Sequence, residues 1–197
     1  FVAAVASGVW PLGSAPSGRA LALGIPALAL FFLALTSLLL VADLKRPERF
    51  LLILTHPNTK SWLVRGTYAL IAYGTLLTFG LLWSWLGIDA ISLGTVYSLP
   101  TMLAGLISAG YTGWLFGQAK GRVLWMQQGL WLRLMLQSVA GGAGLLLLLG
   151  RWLGLGEVGA VGLNGVAMVS VGLLLFFTVF EGQLAPARRA AERPHAA

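Results

Sequence analysis

Residues 20–42, ALALGIPALALFFLALTSLLLVA, run without one charged side chain. A helical stretch of about 20 such residues matches the hydrocarbon thickness of a bilayer. Inside that layer every backbone N–H and C=O must be bonded within the protein, so only helices and closed barrels cross it. Four further runs obey the same rule, at 62–86, 93–118, 128–150 and 157–180, and a partial one occupies 1–13. Barrel strands would alternate apolar and polar residues over about ten positions, whereas these runs are continuous. The sequence therefore predicts an all-α, polytopic transmembrane helix bundle of five full spans plus a partial first span. Residues 1–182 form the membrane domain, and 183–197, QLAPARRAAERPHAA, form a polar tail expected to leave the bilayer and fray. The chain opens at Phe1 inside an apolar run. That run reads as the later part of a helix whose beginning is missing, in preference to a signal-peptide remnant, since no basic n-region precedes it.

Composition agrees. Only 10% of the 197 residues are charged and 58% are hydrophobic, with a mean hydropathy of +0.86, against about a quarter charged in soluble domains. The net charge of +7 invites a nucleic-acid reading, but the basic residues sit at the ends of apolar runs. There they meet anionic lipid and set orientation. Eleven of the 13 lie on one side: Lys45, Arg46, Arg49, Lys60 and Arg65; Lys120, Arg122 and Arg133; Arg188, Arg189 and Arg193. Only Arg19 and Arg151 lie on the other. The positive-inside rule then puts the 43–61 loop and the C-terminus in the cytoplasm. With no cysteine, the chain holds no disulfide, thiolate nucleophile, zinc–cysteine site or iron–sulfur cluster of its own.

Seven of the 19 charged residues gather in DLKRPERFLLILTHPNTKSWLVRG, Asp43 to Gly66. Asp43 closes the second run, with Lys45, Arg46 and Arg49 near enough to compensate a carboxylate at a negative helix end. Pro47 suits a first helical turn, so PERFLLIL predicts a short interface helix. Thr59 or Ser61 can cap the span that begins at Trp62. Two readings stay open here: a solvated, topology-fixing connection, or a polar pocket at membrane depth in which Asp43, Arg46 and His56 bind a ligand or move protons. Further on, Gly105, Ala109, Gly113, Gly117 and Gly121 recur every four residues, a spacing that lets a second backbone approach closely. Ser108, Tyr111 and Gln118 make a sparse polar stripe on roughly the opposite face. The residues alone allow Tyr111 to be a packing side chain bonded to a neighbouring carbonyl.

Two stretches carry a resemblance. DLKRPERF followed by His56-Pro57 and SWLVRG, and AGYTGWLFGQAKGRVLW from Ala109 to Trp125, resemble the NrfD/PsrC family, the polysulfide-reductase-type membrane subunits of molybdopterin oxidoreductases. Segment order follows the family along the whole chain, although family members commonly hold more spans. The resemblance implies a subunit of the prokaryotic cytoplasmic membrane that binds menaquinone or ubiquinone. It exchanges electrons with a four-cluster iron–sulfur subunit, which serves a molybdopterin (Mo or W) catalytic subunit. It also implies that Tyr111, the matching tyrosine, lines the quinone pocket. Arg46 and His56 are then further quinone-binding candidates, and Asp43 a proton carrier. Arg49, Lys120, Arg122 and Trp125 are candidates for docking the iron–sulfur partner.

Family subunits of this type carry no haem. The sequence agrees, since His56 and His195 both lie outside the spans and cannot face one another as axial ligands. No metal is expected on this chain. A polytopic transporter or proton channel is the alternative, yet transporters carry broken helices and mid-span charges that are scarce here. A purely structural anchor is the third reading and predicts no bound quinone.

Overall fold

A computed structural model describes residues 1–6, 16–42, 61–87, 90–117, 129–153 and 155–191. The described residues form six helices: α1 (Val2–Ala6), α2 (Pro16–Ala42), α3 (Trp62–Trp85), α4 (Ala90–Gly117), α5 (Leu130–Leu153) and α6 (Glu157–Ala191). Among the described residues there is no strand. Each element follows from its ends. Pro16 opens α2, where a missing N–H costs nothing. Gly87 takes φ +75° just past α3, and its N–H reaches the Ser84 carbonyl at 3.2 Å, as helix-ending glycines do. Gly129 at φ +90° precedes α5, and its carbonyl accepts from Leu132 and Arg133 at 3.0 and 3.1 Å.

Four helices are long and apolar enough to cross a membrane: Ala20–Ala42, Trp62–Trp85, Leu130–Gly150 and Glu157–Phe180. These match four of the five expected spans. The fifth expected span, 93–118, corresponds to the 28-residue α4, whose described part includes Tyr97, Ser98, Thr101 and Tyr111 amid its apolar residues. Its position explains how that composition is tolerated. It packs between α3 and α5, so Tyr97, Ser98, Thr101 and Tyr111 are buried against protein.

Two expectations need adjusting. Ser61 does stand at the α3 N-cap with extended dihedrals, but its side chain makes no capping bond; Thr59 lies outside the described residues. The tail starts as helix, since α6 continues to Ala191. At 1.5 Å per residue its 35 residues measure about 52 Å, longer than a hydrocarbon layer of about 30 Å. The alanines at 185, 187, 190 and 191 favour continuation. The interface helix expected at 47–54 lies outside the described residues.

Successive helices are neighbours: α2 packs on α3, α3 on α4, α4 on α5 and α5 on α6, while α2 also touches α5. The row curls around α1, which contacts α4, α5 and α6 and is buried at Ala3 and Ala4. The core gathers at one end of the bundle from Leu21, Ala22, Ile25, Tyr97, Ala143, Leu146 and Leu163. Those residues come from the start of α2, α4 and α6 and the later half of α5. The core is thus the end away from 43–61 and 118–128. Next to this core, on the side toward the other end, a cleft opens.

Candidate functional site

The α3–α4 seam sets the geometry. Three tyrosines lie across three glycines in antiparallel register. Tyr111 of α4 covers Gly66, Tyr73 of α3 lies against Gly105, and Tyr97 of α4 covers Gly80. Between the first two contacts the Ser108 hydroxyl donates to the Ala69 carbonyl at 3.3 Å. Beyond them the Tyr97 hydroxyl donates to Leu76 O at 2.8 Å. A glycine opposite each ring lets the two backbones stay close while a large aromatic fills the space. On its other side α4 meets α5 more tightly still. A Cβ placed on Gly113 would lie 2.5 Å from the Trp131 Cα and 2.6 Å from its N. The close backbone approach expected from the small-residue spacing is therefore made at Gly113. At Gly105 the neighbours are the side chains of Val2 and Tyr73. Gly121 and Gln118 lie outside the described residues.

Between α1, α2, α3, α4 and α5 runs a cleft of about 550 Å³, within the roughly 300–1,000 Å³ usual for small-molecule sites. Phe1, Ala3, Ile25 and Leu146 line its apolar end; Thr36, Tyr73, Ser108 and Ser138 give it hydroxyls. Counting residues along each helix, these hydroxyls lie about 9–17 Å from the helix ends that lead into 43–61 and 118–128. Their hydrogens are mostly engaged. Thr36 donates to the carbonyls of Phe32 and Leu33 at 2.9 and 3.0 Å, Ser138 to Met135 at 2.8 Å, and Ser108 to Ala69. Tyr73 is different: among the described residues its hydroxyl has no hydrogen-bond partner. Chemically the cleft offers an apolar slot, one uncommitted phenol and three hydroxyl oxygens with lone pairs to spare.

Where the chain leads toward its charged segments, three indoles stack. Trp62 and Trp114 are 5.3 Å apart at 18°, and Trp114 and Trp131 are 5.6 Å apart at 14°. The Arg65 guanidinium carbon sits 4.9 Å above Trp62. The stack ties α3, α4 and α5 together at a level where tryptophan favours the membrane–water boundary.

Of the residues singled out from sequence, Tyr111 is described. It is 5% exposed, covers Gly66 and is not among the residues lining the cleft. Asp43, Arg46, Arg49, His56, Lys120, Arg122 and Trp125 lie outside the described residues. Sequence reasoning missed Tyr73, Thr36 and Ser138. A signal for Tyr73 was present in the complementary spacing of two neighbouring runs. Gly66, Tyr73 and Gly80 in one mirror Tyr111, Gly105 and Tyr97 in the other, read backwards. Nothing comparable marks Thr36 or Ser138.

These features define a multi-pass helical membrane protein with an apolar intramembrane cleft that carries hydroxyls along one part of its length. The family follows from comparison: the chain belongs to the polysulphide reductase NrfD family, whose model matches residues 15–187. No curated protein and no solved structure is detectably similar.

Proposed function

We propose that the chain is the quinone-binding membrane subunit of an oxidoreductase, anchoring an iron–sulfur subunit and a molybdopterin subunit and exchanging electrons between that assembly and the quinone pool. The observation that carries this reading is the family match over residues 15–187, with which the chemistry of the cleft walls is compatible. A quinone needs an apolar slot for ring and isoprenoid tail and a hydrogen-bond donor for a carbonyl. Leu28, Leu33 and Leu145 supply apolar wall, and the Tyr73 phenol is the uncommitted donor. Menaquinone or ubiquinone supplies the two-electron, two-proton chemistry when bound. What this chain contributes is a water-poor slot, a phenol at the head group and a path for protons.

The remaining roles are part of the same proposal. In this reading Asp43 carries protons and Arg46 and His56 are further quinone-binding residues, all three in the sequence segment between Ala42 and Trp62. Arg49, Lys120, Arg122 and Trp125 receive the iron–sulfur partner. We assign the carbonyl contact to Tyr73 and hold Tyr111 as the second candidate. The two are separable by titrating menadione into the purified chain in lipid nanodiscs. Tyr73→Phe is expected to weaken binding about fivefold, the worth of one hydrogen bond, and Tyr111→Phe to leave it unchanged. The reverse result reassigns the contact. Photolabelling with an azidoquinone tests the site itself: label is expected on α3, α4 and α5 peptides around Tyr73, Ser108 and Leu145. Label confined to other helices, or no quinone extractable from the purified assembly, refutes the proposal.

A further inference from the structure

α6 carries a polar side chain on its outward face, at a depth where lipid cannot satisfy it. Val161, Asn164, Met168, Val171 and Leu175 recur at alternating spacings of three and four, the a/d pattern of a helix seam, and all five are exposed. Asn164 stands seven residues past Glu157, the first residue of α6, about 10 Å along the helix and within the hydrocarbon layer. Among the described residues its side-chain amide has no hydrogen-bond partner. Acyl chains offer neither donor nor acceptor, so lipid against this amide leaves both its groups unpaired at a cost. Beside it, Gly165 has nothing within 4 Å of where a Cβ would stand, leaving backbone that a second helix can approach closely. We propose that this seam pairs with the same seam of a second copy of the chain, the two Asn164 amides bonding to each other across a two-fold axis along the membrane normal. The amide itself argues for this occupant. It is donor and acceptor at once, and such an axis returns every residue to its own depth. A second copy therefore supplies the complement at the level where it is required, and a lone Asn in such a seam fixes the register of the pair. The position of α6 suits this role, since it ends the helix row and packs on α5 and α1. Its inward residue Leu163 shares the core with Ala3 and Ala4, whereas Asn164 is turned about 100° from it. No residue of α6 lines the cleft, so the seam lies apart from the cleft and does not depend on what occupies it.

The sequence has no cysteine, so single thiols can be placed on α6 to test the contact. Met168→Cys lies in the seam. Val169→Cys is the matched control, because Met168 and Val169 are exposed to a similar degree, 77% and 63%, but point about 100° apart. Copper–phenanthroline oxidation of native membranes carrying the full-length chain is expected to give a covalent homodimer from Met168→Cys and little from Val169→Cys. Asn164→Val is then expected to weaken self-association about three- to fifteenfold, the worth of an interhelical hydrogen bond in a membrane. The readout is energy transfer between labelled copies in liposomes across a range of protein-to-lipid ratios. Asn164 bonds to no other described residue, so the substitution is expected to leave the fold intact, with an unchanged tryptophan emission spectrum as the control. Absence of a dimer, equal yields from the two cysteines, crosslinks to a different protein, or unchanged association in Asn164→Val overturns the inference.

Discussion

Gly113→Ala tests the arrangement on which the cleft depends. The added Cβ would meet the Trp131 Cα at 2.5 Å, its N at 2.6 Å and its Cβ at 2.9 Å. The first two are backbone atoms, so no rotamer change relieves the contact. Ordinary van der Waals separation begins near 3.4 Å, so α4 and α5 must part by about 1 Å, and overpacking of this kind costs about 1–3 kcal/mol. Moving Trp131 also disturbs its stack on Trp114, now at 5.6 Å and 14°, worth about 0.5–1.5 kcal/mol. Helix propensity works the other way, because alanine is better than glycine in a helix interior by about 1 kcal/mol. The net expectation is destabilisation by about 2 kcal/mol. The assay is reversible unfolding in mixed micelles followed by tryptophan fluorescence. Gly141→Ala is the matched control, because nothing lies within 4 Å of the position its Cβ would take; that variant keeps the propensity gain without the clash. If Gly113→Ala proves as stable as Gly141→Ala, the helices do not approach as described and the α4–α5 wall of the cleft is wrongly drawn.

Other consequences follow from single contacts. Tyr97→Phe removes the 2.8 Å bond to Leu76 O while keeping the ring over Gly80, and should cost about 0.6–1.7 kcal/mol, the span measured for interhelical bonds in membranes; an unchanged unfolding midpoint would remove that bond from the account. Gly105→Ala puts a methyl 2.9 Å from Val2 Cγ2 and 3.1 Å from Tyr73 Cε2, and both neighbours are side chains that can shift. Stability should therefore change little while menadione binding weakens; the opposite pattern would show that Tyr73 is a packing residue alone. Orientation is open to a thiol probe, because the chain has no cysteine and Lys60→Cys would be its single thiol. Impermeant maleimide should label it from the cytoplasmic face, and labelling only from outside contradicts the charge-bias reading.

The described portion of the fold was largely legible. Spans expected at 20–42, 62–86, 93–118, 128–150 and 157–180 appear as helices Pro16–Ala42, Trp62–Trp85, Ala90–Gly117, Leu130–Leu153 and Glu157–Ala191. The reason is that a bilayer imposes length and apolarity on each segment separately, so both can be read from local sequence. Family membership was legible too, in DLKRPERF and in the stretch around Tyr111. The cleft was not. A helix that is apolar all round carries no stripe to say which side faces protein. Tyr73 shares its run with Tyr68, and nothing local marks which of the two phenols borders a cavity.

The sequence by itself determined that the chain crosses a membrane as helices, which segments do so, and where its cations gather, since those are properties of composition along a line. Only the tertiary structure decided that Tyr111 closes over Gly66 while Tyr73 borders a cavity, and that three hydroxyls there have spent their hydrogens. Those outcomes depend on the rotation and register of α3 and α4 about one another, fixed by rings seated on glycines in different runs. No single run contains that information.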